Sequence, residues 1–219
     1  MEKPNKNSYQ EIFGQLNLEL NQYPQRPKVI AVSKYVGSEE IKKAYDAGFR
    51  DFGENRVPDL ITKAIDLKIL CPEIRWHFIG NIQSNKIKEL MSLENLFAIH
   101  SVDSLKHLKM IGERCIGPVK IFLQVNTSDE SQKGGLNSTE DLAVLVSEIK
   151  HYPYLFFEGL MTMASMDGDL EKAKLCFNQL KDLAQAFPQA KLSMGMSGDY
   201  QIALEAGSHY IRVGSLIFK

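Results

Sequence analysis

Apolar residues recur along the chain in short continuous runs, separated by longer stretches in which the apolar positions fall three and four apart. The first run, Lys28-Val29-Ile30-Ala31-Val32-Ser33-Lys34, stops abruptly on a lysine and is closed off by Gly37 and the helix-like Ser38-Glu39-Glu40-Ile41-Lys42-Lys43-Ala44-Tyr45. A continuous Val/Ile/Ala run of this length suits a parallel strand buried on both faces. Further strand candidates are 49–52, 75–79, 96–100, 119–125, 155–161, 191–194 and 209–213. Residues 9–20 place Ile12, Phe13, Leu16 and Leu20 at helical spacing, which predicts an opening amphipathic helix. Helical patterns also cover 38–47, 57–70, 83–91, 104–114, 138–150, 170–187 and 199–206. About eight strands alternating with helices predict an α/β fold, a single (β/α)8 TIM barrel with an extra N-terminal helix. The runner-up is a doubly wound open sheet. That fold usually carries Gly-x-Gly-x-x-Gly after its first strand, and Ser33-Lys34-Tyr35-Val36-Gly37 has no such pattern.

Composition narrows the class without naming a function. With 219 residues, 44% hydrophobic and 24% charged, the chain has enough apolar material for one large core, and a single domain over 1–219 is the expectation. A formal net charge of -1 gives no electrostatic case for nucleic acid or an anionic membrane. Cys71, Cys115 and Cys176 are odd in number and far apart, so neither a disulfide framework nor a zinc site is indicated. Reduced thiols in a cytoplasmic protein are expected. The polar start Met1-Glu2-Lys3-Pro4-Asn5-Lys6-Asn7 precedes no long apolar segment, so neither a signal peptide nor a membrane span is expected.

The candidate chemistry sits at the strand ends. Lys34 belongs at the C-terminal mouth of the first strand, where parallel α/β folds bind ligands, and a desolvated amine there condenses readily with a carbonyl. The alternative is a lysine that marks a strand end and reaches water. The second strand runs into Gly53-Glu54-Asn55-Arg56, the third into Gly80-Asn81-Ile82-Gln83-Ser84-Asn85-Lys86 and the fifth into Asn126-Thr127. After the seventh, Gly195-Met196-Ser197-Gly198-Asp199 opens a helix, with Ser197 read as the N-cap of an anion site. The eighth ends Arg212-Val213-Gly214-Ser215, and the loops after strands seven and eight are where such barrels bind phosphate. Ser197 merely capping a helix and Gly214 merely making a turn is the competing reading. His77 shares the inward parity of Arg75 and Ile79 and either lines the site or is a packed, hydrogen-bonded histidine. His100, His107, His151 and His209 lack ligand spacing and read as structural or exposed, and Met194 and Met196 as packing residues. Residues 128–135 are polar and glycine-containing, suiting a flap over the mouth or an ordinary surface loop.

Several segments carry a family resemblance: Ala31-Val32-Ser33-Lys34, Phe52-Gly53-Glu54-Asn55, Trp76-His77-Phe78-Ile79-Gly80 with Gln83-Ser84-Asn85-Lys86, Ile99-His100-Ser101-Val102-Asp103, Gly159-Leu160-Met161, Leu192-Ser193-Met194-Gly195-Met196-Ser197 and Ile211-Arg212-Val213-Gly214-Ser215. In these the chain resembles the pyridoxal phosphate homeostasis protein family, itself similar to the N-terminal barrel of alanine racemase. It departs from the family at Pro58, early in a helix where proline is tolerated, at Asn81, and at Lys219, where the family continues with a glycine and a short tail.

The resemblance implies that Lys34 holds pyridoxal phosphate as a Schiff base. Beside it, Ser197, Gly198, Gly214 and Ser215 are assigned to the phosphate, Arg212 to the pyridine nitrogen, and Asn55 and Met161 to the flanks of the ring. A guanidinium only donates, so the nitrogen it meets stays unprotonated, and the ring is a weaker electron sink. Two functions follow: a monomeric protein that buffers the cofactor or delivers it to apo-enzymes with little catalysis of its own, or an amino-acid racemase or related enzyme that depends on pyridoxal phosphate. A two-base racemase needs an acid/base on the opposite face of the substrate, which alanine racemases take from an additional domain of a partner subunit. The chain stops after its eighth strand, so the carrier is the expectation.

Overall fold

The computed structural model describes residues 6–127, 135–164 and 168–218. Eight parallel strands, β1 (Lys28–Val32), β2 (Asp51–Glu54), β3 (Arg75–Phe78), β4 (Leu96–Val102), β5 (Val119–Gln124), β6 (Leu155–Met161), β7 (Lys191–Met196) and β8 (Tyr210–Val213), pair in sequence order. β1 also pairs with β8, with Lys28 opposite Tyr210 and Ala31 opposite Val213, which closes the barrel. Helix α1 (Lys6–Leu20) precedes β1. The others, α2 (Ser38–Asp46), α3 (Val57–Leu67), α4 (Ile87–Leu90), α5 (Leu105–Gly112), α6 (Thr139–Ile149), α7 (Leu170–Ala184) and α8 (Tyr200–Glu205), each follow a strand. The closed sheet excludes the doubly wound alternative.

Boundaries shift where side chains decide them. The helix expected at 83–91 divides into a short 3-10 helix, Ser84–Lys86, and α4, and only Ile87, Leu90 and Met91 of it are buried. The strand expected at 49–52 begins later. Phe49 instead packs edge-on against Phe13 of α1, with ring centroids 4.9 Å apart.

Alternation along the strands builds two cores. Phe52, Trp76, Phe78, Ile99, Leu123 and Leu160 belong to the large cluster shared with the helices. The intervening positions fill the barrel: Ile30, Ala98, Phe122, Met161 and Tyr210 pack together there, and His100 stacks on Phe122 with centroids 4.2 Å apart. The interior is therefore a packed core rather than a pore. Burying a side chain such as Phe122 contributes about 1.5–3 kcal/mol, so the plug itself helps to hold the barrel shut.

The N-terminal end of the barrel is closed by charge. Asp51 and Arg75 open neighbouring strands in register, and the guanidinium of Arg75 grips the Asp51 carboxylate with Nε 2.7 Å and a second nitrogen 2.6 Å from its oxygens. Polar side chains are thereby satisfied at the bottom, and ligand chemistry is left to the top. Among the described residues no helix is long and apolar enough to cross a membrane.

Candidate cofactor site

The C-terminal ends of the strands surround a cavity of about 900 Å³. Lys34, Asn55, Ser197, Gly198, Arg212, Gly214 and Ser215 all line it. In the sequence these residues are spread over strand β8 and the loops after four strands, and barrel closure brings them together.

Lys34 is held by what lies directly before it. Ser33 is fully buried; its hydroxyl donates to Glu54 Oε1 at 2.6 Å, and Lys63 Nζ of α3 donates both to the Ser33 carbonyl at 2.9 Å and to Glu54 Oε1 at 2.6 Å. The second oxygen of that carboxylate, Glu54 Oε2, is buried without a hydrogen-bond partner among the described residues. This cluster fixes the backbone at the end of β1, and Lys34 follows in a turn closed by the Val36 amide on the Ser33 carbonyl. The Lys34 side chain is exposed at the rim, its ammonium 4.9 Å from the centroid of the Tyr35 ring. The expectation of a desolvated amine is thus corrected. β1 ends two residues earlier, at Val32, so the lysine stands on the turn and not inside the barrel.

On the other side of the mouth, the Gly214 amide donates to the Ser197 hydroxyl at 3.2 Å. Ser197 is therefore not the N-cap that its position suggested. Asp199 occupies that place at the start of α8, and its Oδ1 accepts the Met196 amide. Gly195 permits the arrangement: its φ is +94°, and a Cβ there would come within 2.6 Å of Ala203 Cβ. Gly80 does the same for Asn55, since any Cβ on it would overlap the Asn55 carbonyl. The end of β3 thus packs directly on the Asn55 backbone.

Arg212 is 5% exposed. One guanidinium nitrogen donates to the Ser193 carbonyl and hydroxyl, each at 2.9 Å, and another to the Thr162 carbonyl at 2.9 Å. Burial pushes its pKa down to about 10, which leaves it cationic at neutral pH.

Two residues assigned to the site lie elsewhere. His77, fully buried, stands inside the barrel between Asp51 and His100 and does not line the cavity, which is the packed alternative of the sequence reading. Met161 is 1% exposed in the interior cluster, one layer too deep, and Met163, two residues further on the same side, reaches the cavity instead. Met196 also lines the cavity and does not merely pack. Arg56, Gln83 and Lys86, which the sequence placed in the segments that follow strands two and three, also line the cavity, together with Tyr35, Pro58 and Phe218. His107 bridges Ser84 and Asp103, 3.2 and 2.7 Å away, and so ties the 3-10 helix to α5. The loop read as a flap, 128–135, lies outside the described residues except for Gly135.

The family model described as the alanine racemase N-terminal domain matches residues 16–219. The human pyridoxal phosphate homeostasis protein is 39% identical over 209 residues, covering 88% of this chain and 76% of that protein. PipY of Synechococcus elongatus, solved with PLP bound, is 32% identical with a TM-score of 0.83, covering 96% of this chain and all of PipY. The chain belongs to the pyridoxal phosphate homeostasis protein family. Alanine racemase from E. faecalis, at 15% identity and a TM-score of 0.72 over 94% of this chain and 57% of its own, shares the fold alone.

Proposed function

We propose that this protein binds pyridoxal phosphate at the barrel mouth, with Lys34 as its covalent anchor, and serves vitamin B6 homeostasis in the cytoplasm as a monomeric holder of the cofactor that delivers it to apo-enzymes. The observation that carries this reading is the convergence of Lys34, the Ser197–Gly214 pair and Arg212 on one cavity. The names of the relatives and the ligand of PipY support it.

The residues fit the group. Bound pyridoxal phosphate supplies an aldehyde that captures primary amines and a ring that withdraws electrons. Lys34 presents a primary amine at the rim on a turn that Ser33, Glu54 and Lys63 keep still. Ser197 spends a lone pair on the Gly214 amide, which leaves its O–H free to donate to a phosphate oxygen. Gly198 has no heavy atom within 4 Å of where a Cβ would stand, so its backbone is open to close approach by an anion. Asn55, just after β2, and Met163, just after β6, line the walls from which they would flank the ring.

Arg212 decides between holder and enzyme. As a donor-only cation at the cavity wall, it would hold a pyridine nitrogen placed against it unprotonated, which would weaken the ring's withdrawal of charge from a substrate carbon. The protein is accordingly a poor racemase. The test is spectral titration with pyridoxal phosphate, together with α-proton exchange of amino acids in deuterated water. Stoichiometric binding, slow exchange and release of the cofactor to an apo-enzyme are the expected results. Fast exchange with racemisation would establish the enzyme instead.

A further inference from the structure

We propose that Ser193, His100, His77 and Asp51 are positioning residues for Arg212, forming a proton-ordered row that crosses the barrel interior and presets the guanidinium facing the cavity. This deepens the cofactor reading and rests on it.

Four consecutive contacts define the row beyond Arg212. The guanidinium donates to Ser193 Oγ at 2.9 Å, Ser193 Oγ lies 2.9 Å from His100 Nδ1, His100 Nε2 lies 2.9 Å from His77 Nδ1, and His77 Nε2 lies 2.9 Å from Asp51 Oδ1. Neither ring nor the serine is exposed. The two ends dictate where each proton sits. Arg212 only donates, so Ser193 Oγ accepts from it. At the other end Asp51 is ionised, gripped twice by Arg75 and facing His77, so it only accepts. His77 therefore carries its proton on Nε2 and accepts on Nδ1. His100 must then donate through Nε2 and accept on Nδ1, where it receives the Ser193 hydroxyl proton. Every donor finds an acceptor with both rings neutral, in keeping with burial, which holds both histidines below their ordinary pKa.

The opposite order fails at the cavity end. If His100 carried its proton on Nδ1, Ser193 would accept from both the ring and the guanidinium. Its own hydrogen would then be left without this acceptor in a buried site, a cost of about 1–3 kcal/mol for an unsatisfied polar group. The ionised carboxylate at the N-terminal end of the barrel thus selects the arrangement that lets Ser193 receive Arg212 cleanly. None of Ser193, His100, His77 or Asp51 lines the cavity. Their effect on a bound ring passes through Arg212. The charged and titratable groups facing the two rings are Asp51, Arg75, Lys28, Tyr210 and Arg212.

Long-range proton–nitrogen NMR of the cofactor-free protein tests the row without any variant. At pH 7 both buried rings should be neutral, with the proton on Nε2, and a proton on Nδ1 of either ring would overturn the ordering. The coupling to Arg212 is tested by a double-mutant cycle of Ser193→Ala and His77→Gln, each variant checked for folding by thermal melting. The readouts are the affinity for pyridoxal phosphate and the visible band of the bound chromophore. Each single variant should weaken binding by about fivefold, and the double variant should be little worse than Ser193→Ala alone. Additive losses, or an unchanged band and affinity in His77→Gln, would refute the coupling. If the wild type bound no cofactor while the NMR pattern held, the cofactor reading would fall and the ordered row would stand.

Discussion

The Gly214 amide donates to the Ser197 hydroxyl, 3.2 Å away, and this one bond joins the loop after β7 to the loop after β8. It leaves Ser197 as a donor toward the cavity. Ser197→Ala should therefore weaken retention of pyridoxal phosphate by the value of one charge-assisted hydrogen bond, about 1.5–3 kcal/mol, or roughly ten- to a hundredfold in Kd. Equilibrium dialysis against pyridoxal phosphate measures it, and unchanged affinity would place the phosphate elsewhere.

Glycine substitutions separate cavity from fold. At Gly214 a Cβ would stand 3.1 Å from the Val32 carbonyl, so any larger residue presses on β1 itself. At Gly198 the space is open. Gly198→Val should leave the melting temperature nearly unchanged while lowering affinity at least tenfold, because the valine occupies volume that the anion needs. A fall in stability equal to the fall in binding would show that Gly198 supports the fold.

Lys63 guards a buried carboxylate. Glu54 is wholly buried, Lys63 partly so, and their 2.6 Å contact is reinforced by the Ser33 hydroxyl. Lys63→Met strands the Glu54 charge and should cost about 3–5 kcal/mol in urea unfolding. Adding Glu54→Gln should recover much of that loss, since an amide needs no countercharge. Absence of recovery would mean that the pair acts through packing.

Much of this architecture was legible beforehand, for reasons that also mark where legibility ended. Continuous runs such as 28–34 and 119–125 announce strands because burial on both faces demands apolar residues throughout, and eight of them in alternation with helices leave few folds. Parity correctly turned His77 inward. Parity gives direction but not depth, so it could not separate the packed interior, where His77 and Met161 lie, from the cavity above, where Met163 lies. Ser197 looked like a cap because serine before a helix commonly is one; its partner, Gly214, is 17 residues away and is brought near only by strand pairing. Lys63 carried no signal, since a lysine on an amphipathic helix usually faces water.

Acid should destabilise the protein over two pH ranges. His77 and His100 are neutral and buried, with folded pKa values below the ordinary 6.5, so the unfolded chain binds protons that the folded one refuses. Their contribution to stability is complete above pH 6.5 and falls as pH drops below it, by up to about 1.4 kcal/mol per pH unit for each ring. Asp51, held below its ordinary 3.8 chiefly by Arg75 and His77 against the desolvation that opposes them, adds stability above that pH and loses it below. Urea melts between pH 7 and 3 should show both slopes. Constant stability from pH 7 to 5 would contradict the neutral buried pair.

The central claim is that Lys34, among all the lysines of the chain, anchors the cofactor. Incubation with pyridoxal phosphate, reduction with borohydride and peptide mass mapping address it directly. One reduced cofactor mass on the peptide containing Lys34, lost in Lys34→Ala, is the predicted result. Label on Lys63, Lys86 or any other lysine, or no label at saturating pyridoxal phosphate, would contradict it.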